Sequence, residues 1–482
     1  MPVVLFMVFG CGDPTPVPPP NVVVIVADDL GWADLGVYGS GFHETPSLDR
    51  LATSGARFTH AYTAGSVCSP SRASILTSHY PARLRITDWL PGQGDASHQR
   101  LLQVRDHAAL PLDELTLAEA LGDAGYATAH IGKWHLGREG HRPSDQGFDR
   151  VIGANDYGSP PTYFWPYVGN GRDLPQLTAT GAEGENLTDR LGEEAAAFIR
   201  EHRDRPFFLF LSFYAPHTPL EGKPALVAAY REKAERMGLD TLDVFGPEGP
   251  HVHRRVQSDP VYAAMVETLD AAVGRVLRSL DENDLAGRTA VVFLSDNGGL
   301  AVLERDWPIE PPTSNLPLRA GKGWLYEGGI RGPMMVRWPG VVGPGSVIDE
   351  PVITNDLFPT LLEIAGLEPG DTLDDGLSLL PLLTGDGALS RDALYWHYPH
   401  YHGSGHRPSS AIRFGDHKLI RWYHEDRTEL YDLRQDPTES RDLSAARPEL
   451  RDDLQARLTR WLTEIDAQMP EPNPAYTGTP DS

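Results

Sequence analysis

Sulfur is nearly missing from this chain: its 482 residues include two cysteines, Cys11 and Cys68, and seven methionines. So little cysteine excludes a disulfide-built scaffold, and Cys11 lies too close to the N-terminus to be a natural partner for Cys68. Positive charge is scarce as well. Lys and Arg number 42 against 67 Asp and Glu, for a formal charge of −25. Nucleic-acid backbones need a basic face, so DNA and RNA are excluded as partners. A small anionic substrate is not, because a few cations in a cleft can dominate the local field. No stretch beyond the N-terminal segment is long and apolar enough to span a bilayer, and internal repeats are absent. What is present, 40% hydrophobic and 23% charged residues, is the balance of a globular protein. The length allows one large domain and a smaller one.

The first residues read "MPVVLFMVFGCGDPTPVPPPN". An apolar run ending in "VFGC" before a Pro-rich, uncharged stretch looks like the end of a bacterial lipoprotein signal, although no Lys or Arg precedes the run and it is short. On that reading Cys11 is the lipidated residue and "GDPTPVPPP" is a semi-rigid tether. The expectation is an exported protein, periplasmic or on the outer membrane of a bacterium, touching membrane only through its anchor. The expected divisions are a signal and tether over 1–20, a catalytic domain over 21–375 and a C-terminal subdomain over 376–482.

Between those limits strands and helices alternate. "NVVVIVADD" (21–29), "ATAHIGKWH" (127–135), "PFFLFLSFYAPH" (206–217) and "TAVVFLSDNGG" (289–299) are apolar runs that end in polar residues. "TPSLDRLATSG" (45–55) has Thr45 as N-cap, Pro46 at the first helical position and Gly55 as a stop. "TLAEALGDAG" (116–125) carries a capping box, Thr116 with Glu119. Helices are also expected over 187–203 and 260–280. The alternation predicts an α/β fold, a large mostly parallel sheet sandwiched by helices. After residue 386 short strands ("AIRF", "HKLIRWY", "TELYDL") predict a small antiparallel sheet. An amphipathic helix at 448–465 closes the chain, with Leu450, Leu454, Leu458, Trp461 and Ile465 on one face.

In open α/β sheets ligands bind beyond the carboxyl ends of the strands. Here those ends read "DD", "GKWH", "APH" and "SDNGG". Adjacent carboxylates repel unless a cation lies between them, which singles out Asp28 and Asp29. Asp296 and Asn297 add oxygen donors. A set of oxygens without supporting His or Cys suits Ca²⁺ or Mg²⁺ better than zinc. Lys133, His135, His217 and Lys322 would bring cationic and proton-donating groups to the same edge, so a sulfate or phosphate ester fits. "CSPSRASILTS" (68–78) places Cys68 at the start of a helix with Arg72 one turn on. There the helix dipole would lower a thiol pKa, which admits a cysteine nucleophile. Yet a thiolate is poorly matched to a hard-cation site, whereas an oxygen nucleophile suits it.

That segment resembles the signature of the type I sulfatases, C-x-P-S-R-x-x-x-L-T-G, with Ser78 in place of the final Gly. "ADDLGW", "GKWHLG", "APHTPL" and "SDNGG" recur in the family's order, and the resemblance runs from Asn21 to about 443. It implies an alkaline-phosphatase-like fold and a sulfatase whose Cys68 is converted to formylglycine (3-oxoalanine) by a formylglycine-generating enzyme. It further implies one Ca²⁺, rather than Mg²⁺, held by Asp28, Asp29, Asp296, Asn297 and modified residue 68. Arg72 would steady the formylglycine hydrate, Lys133 and Lys322 would contact sulfate, His217 would protonate the leaving alcohol, and His135 would assist sulfate release. Asp296 is a candidate base.

The alternatives are a phosphonate or phosphate ester hydrolase of the same superfamily and a non-catalytic sulfoglycan-binding relative. Aromatic and polar stretches at 85–93, 155–166 and 395–406 suggest stacking on sugar rings, hence a sulfated carbohydrate or other small sulfated molecule as substrate. An aromatic seam between domains would read the same way. His397, His400, His402 and His406 lack the acid or Cys companions of a zinc site.

Overall fold

The computed structural model describes residues 19–368 and 375–477; Cys11 and most of the Pro-rich stretch lie outside the described residues. "NVVVIVA" forms strand β1 (Asn21–Ala27), and all seven of its residues are buried. The burial comes from both faces. Val22, Val24 and Val26 enter one core, while Val23, Ile25 and Ala27 enter another. A strand's two-residue period sends alternate side chains to opposite sides, so an unbroken apolar run belongs between two layers.

The other strands of this sheet are β2 (Ala56–Phe58), β3 (Ala127–Gly132), β4 (Arg150–Ile152), β5 (Phe207–Ser212), β6 (Thr289–Ser295), β7 (Met334–Arg337) and β8 (Ser346–Ile348). They lie in the order β8-β2-β7-β6-β1-β5-β3-β4. From β6 to β4 every pairing is parallel. The short β7 runs antiparallel to both β6 and β2, an interruption that no periodicity announced. Helices α1 (Pro46–Thr53), α4 (Leu187–Glu201) and α5 (Pro260–Glu282) cover one face. The other face is covered by α2 (Cys68–Thr77), α3 (Leu117–Asp123) and α6 (Leu357–Ile364). The Thr116–Glu119 capping box forms as expected. Thr45 does not cap α1 through its side chain: its hydroxyl accepts from the Gly36 N–H at 2.9 Å instead.

A second, antiparallel sheet follows, β9 (Ala393–Tyr398) through β10 (Ser409–Phe414) and β11 (His417–Trp422) to β12 (Arg427–Asp432). Helix α7 (Pro448–Glu464) lays Leu454, Leu458 and Trp461 against it, with Ile465 just beyond its end. Strand β9 uses the start of the 395–406 stretch. Tyr395 stacks on Trp461 with ring centroids 4.6 Å apart, and Trp396 meets Tyr62, so this half of the stretch is an internal seam. Among the described residues no helix is long and apolar enough to cross a membrane.

Candidate active site

Parallel register decides what meets at the sheet edge. Ala27 pairs with Ser295, Val26 with Ser212 and Gly132 with Ser212, so β1, β3, β5 and β6 end level. The residues that follow each strand therefore emerge side by side. Asp28 and Asp29 come from β1, Lys133 and His135 from β3, His217 from the turn after β5, and Asp296 and Asn297 from β6. Lys322 reaches the same place through a glycine contact. A Cβ on Gly298 would lie 1.9 Å from the Gly328 carbonyl oxygen, so only glycine lets the segment around 320–329 press this close. The Lys322 N–H then donates to the Gly299 carbonyl at 3.0 Å.

Cys68 opens α2, all ten residues of which are buried. Its small polar side chains are satisfied locally: Ser69 Oγ donates to the His135 carbonyl at 2.9 Å, and Thr77 Oγ1 to that of Ala73 at 2.9 Å. Ser78 takes the left-handed conformation at the helix end (φ 69°), where glycine is favoured. Its hydroxyl donates to the Asn355 carbonyl at 2.9 Å, a bond glycine could not make, which explains how serine is accommodated there.

Cys68 Sγ lies 3.6 Å from Asp28 Oδ1 and 3.5 Å from Lys322 Nζ. Lys133 Nζ contacts Asp28 Oδ2 at 2.6 Å, and Lys322 Nζ contacts Asp29 Oδ1 at 2.7 Å. Asn297 Nδ2 donates to Asp29 Oδ1 at 2.8 Å, and His217 Nε2 stands 3.5 Å from Asp29 Oδ2. Arg72 departs from the expected placement. Its Nε and Nη2 grip Asp296 Oδ2 at 2.9 and 2.8 Å, and Nη1 reaches the Lys133 carbonyl and the Ser212 hydroxyl. Its fork is thus engaged with protein rather than held open for substrate. Ser212 was invisible in sequence, because a serine at the end of a strand carries no signal of its own.

The electrostatics follow from three buried carboxylates packed beside three permanent cations. Burial, with Asp296 close by, pushes the Asp28 carboxyl well above the ordinary carboxylate range despite Lys133. Burial opposes charge on Asp29 too, but Lys322, His217 and Lys133 hold its pKa well below that range. Burial opposes charge on Asp296 as well, and Arg72 and Lys133 hold its carboxyl below the ordinary range. Burial alone would raise the Cys68 thiol, yet Lys133 and Lys322 bring it down to about 6. His217 is raised, as Asp29 and Asp28 outweigh burial and Lys322. Burial and Lys133 push His135 well below its ordinary value, so the ring is neutral. Its Nε2 lies 2.7 Å from the Leu90 carbonyl, which requires the proton on Nε2 and leaves Nδ1 as the acceptor.

Among the described residues, single ligand atoms of Asp28, Asp29, Cys68 and His217 all lie within 4.8 Å of one another; Asp296, held by Arg72, is not in that group. The oxygens of Asp28, Asp29 and Asn297 are the part of the site that suits a hard cation. Among the described residues Asn297 Oδ1 is buried without a hydrogen-bond partner, an arrangement that costs free energy unless something binds it. By contrast, His397, His400, His402 and His406 bond to Ser410, Thr87, Ser404 and Ser409, and form no metal-ligand group among the described residues.

The site opens into a cavity of about 1310 Å³ whose floor includes Asp29, Cys68, His135, His217 and Lys322. Lys133 and Arg72 are buried beneath it. Trp89 and Tyr157, from two of the stretches read as sugar-facing, line its walls, and the third contributes His402 and Gly403. The lip also holds Trp307 and Ile309, both substantially exposed, which no motif singled out.

Comparison with known proteins agrees with this arrangement. Residues 20–367 match the Sulfatase family model, and residues 320–468 match N-sulphoglucosamine sulphohydrolase, C-terminal. The chain is 34% identical over 503 residues to Homo sapiens arylsulfatase A, covering 93% of this chain and 89% of that one. It is 31% identical over 524 residues to a Formosa agariphila protein named Sulfatase, with the same 93% and 89% coverage. Mus musculus steryl-sulfatase is 35% identical over 458 residues, 79% of this chain and 67% of that one. The crystal structure of Ps i-CgsB in complex with k-i-k-neocarrahexaose matches with a TM-score of 0.72 and 29% identity over 92% of each chain. With a family model spanning most of its length and relatives matched across nine-tenths of it, the chain belongs to the sulfatase family and is a sulfuric ester hydrolase.

Proposed function

We propose that this sulfatase removes sulfate from a sulfated carbohydrate, using a formylglycine hydrate made from Cys68 and one bound Ca²⁺. One observation carries the reading: a cysteine lies among hard oxygen donors and ammonium groups on the floor of a large cavity, a setting that suits an oxygen nucleophile beside a hard cation better than a thiolate. Asp28, Asp29, Asp296 and Asn297 would hold the Ca²⁺, which would supply Lewis-acid polarisation of the sulfuryl oxygens, and the hydrate at position 68 would supply an oxygen nucleophile with a second hydroxyl.

The chain's own residues do the rest. Arg72 orients Asp296 rather than touching substrate. Lys322, and Lys133 behind it, set the positive field that draws in the ester anion. His217 Nδ1 lies 2.7 Å from the Thr218 carbonyl, which fixes the ring and leaves Nε2 to protonate the departing alcohol. His135 offers Nδ1 as an acceptor during sulfate release. Because Cys68 and all of α2 are buried, the formylglycine-generating enzyme must act before the chain folds.

A carbohydrate is favoured by the Homo sapiens relative named N-acetylgalactosamine-6-sulfatase, 33% identical over 426 residues, by the carrahexaose in the neighbouring structure, and by a cavity larger than one sugar. The lipoprotein-like segment ending at Cys11 supports export, which loss of labelled-lipid incorporation in a Cys11→Ser variant would test. The central experiment uses protein whose aldehyde content is verified by mass. Hydrolysis of 4-nitrophenyl sulfate and of defined sulfated saccharides is expected. Phosphate turnover far above sulfate turnover would reassign the protein as a phosphoester hydrolase, and saccharide binding without turnover would make it a binding relative.

A further inference from the structure

The cavity wall carries a cation that the reaction above does not use. Residues 168–173, "VGNGRD", form a small hairpin in which Val168 pairs with Asp173 and Gly169 with Arg172. The central residues Asn170 and Gly171 both have positive φ, 53° and 72°, as a two-residue turn of the twist-matched kind requires. The turn is therefore a specified element. It places Asn170, Gly171 and Arg172 on the cavity wall beside Tyr157.

Arg172 lies over the Tyr157 ring, its guanidinium carbon 4.8 Å from the ring centroid. The other cavity-lining Lys and Arg side chains are already matched: Lys322 by Asp29 and Arg138 by Asp156. No carboxylate pairs with Arg172 among the described residues, although acids outnumber bases 67 to 42 in this chain. A cation over a ring face is attracted to it while its N–H groups stay able to donate elsewhere. The planar donor edge of a guanidinium matches the oxygens of a carboxylate or a sulfate two at a time, which an ammonium does not.

We propose that Arg172, braced on Tyr157, binds a second anionic group of the substrate, a carboxylate or sulfate on the sugar next to the one losing its sulfate. The enzyme is then selective for doubly charged oligosaccharides. The inference rests on the sulfated-carbohydrate reading above and narrows it.

Binding to two matched pairs of disaccharides tests it by calorimetry: a chondroitin 6-sulfate disaccharide against its carboxyl-reduced form, and a disulfated against a monosulfated carrabiose. In the wild type the doubly charged member of at least one pair binds about tenfold more tightly, the worth of one charge-assisted bidentate contact. Arg172→Ala brings that ratio close to one, Arg172→Lys retains only part of it, and Tyr157→Leu weakens it. Each ratio is taken within one variant, so loss of folded protein cancels. The responsive pair identifies the second anion as carboxylate or sulfate. Equal binding within both pairs, no binding of either doubly charged sugar, or a ratio unchanged in Arg172→Ala overturns the inference. Failure of the same aldehyde-verified enzyme to hydrolyse 4-methylumbelliferyl sulfate would instead overturn the sulfatase chemistry, whatever the ratios show.

Discussion

Two clusters of charge lie buried in this molecule, and they are built differently. At the seam between the sheets, Lys418 Nζ lies 3.1 Å from Glu327 Oε1 and 2.9 Å from Glu439 Oε1. Tyr62 donates to Glu327 Oε2 at 2.6 Å, the Glu327 N–H donates to Glu439 Oε2 at 2.7 Å, and Arg331 and Arg413 complete the set. Lys418, Glu327 and Glu439 have no exposure, and none of them lines the large cavity. At the strand ends the residues are equally buried, but the set borders a cavity, with Asp29, Cys68 and Lys322 on its floor. Neither cluster is fully matched among the described residues: Asn297 Oδ1 and Glu439 Oε1 have no hydrogen-bond partner, and burial pushes up the carboxyls of both Asp28 and Glu439, the latter to about 7. A charge cluster sealed between two layers holds them in register. One that borders a cavity can meet a ligand. The difference lies in access, not in burial, charge or satisfaction.

Mutation should separate the two. Cys68→Ala ought to cut 4-nitrophenyl sulfate hydrolysis by about 10⁴-fold or more, the scale for removing a nucleophile, while the melting temperature stays within a few degrees. Retained turnover would mean that the open cluster is not the reactive one. Treating the mature enzyme with a Ca²⁺ chelator should lower kcat/KM by about 10²-fold or more and also lower the melting temperature, both restored by added Ca²⁺. Indifference to the chelator would remove the ion from the account.

In the closed cluster the effects should invert. Lys418→Met leaves two buried carboxylates facing each other and is expected to destabilise the fold by about 3–5 kcal/mol in denaturant titration, with kcat of the remaining folded enzyme little altered. A large fall in kcat at unchanged stability would blur the distinction.

Asp88 offers a smaller test between the two regions. It accepts from Tyr398 at 2.8 Å across the seam, and it lies two residues from Leu90, whose carbonyl fixes His135. Burial, helped by Asp106 and opposed by Tyr398, pushes its carboxyl up to about 8. An acid with a raised folded-state pKa favours folding most fully below the unfolded value, and that contribution fades as pH rises toward the folded value. For Asp88 the window runs from 3.8 to about 8. Asp88→Asn keeps the shape without the ionisation, so its melting temperature should fall less than the wild type's between about pH 5 and about pH 8. Parallel curves would show that Asp88 does not titrate in that range.

The parts of the fold read correctly in advance are those where the local pattern and the tertiary role coincide. Seven consecutive buried residues in β1 admit few readings, and the Thr116–Glu119 box is complete within four residues. The parts left open are those where several environments share one composition. The 395–406 stretch is both a packed seam at Tyr395 and a cavity wall at His402, and aromatic content does not distinguish them. Strand β7 is four residues long and gains its place from its neighbours. In the site, Arg72 was placed beside Cys68 by helical spacing, but its partners come from β3, β5 and β6. The "NG" turn before Arg172 was a usable signal that pointed to a hairpin, though not to what the hairpin faces.

By itself, then, the order of residues determined which side chains end each strand, that Cys68 begins a helix, and that the central strands are covered on both sides, because these follow from period, capping and local sterics. Only the tertiary structure decided that Arg72 grips Asp296, that Asn297 is left with an unmatched oxygen, and that Arg172 stands on a cavity wall with no carboxylate partner, the last two among the described residues. The first two depend on distances between segments more than two hundred residues apart, set by the level ends of parallel strands, which no local pattern encodes.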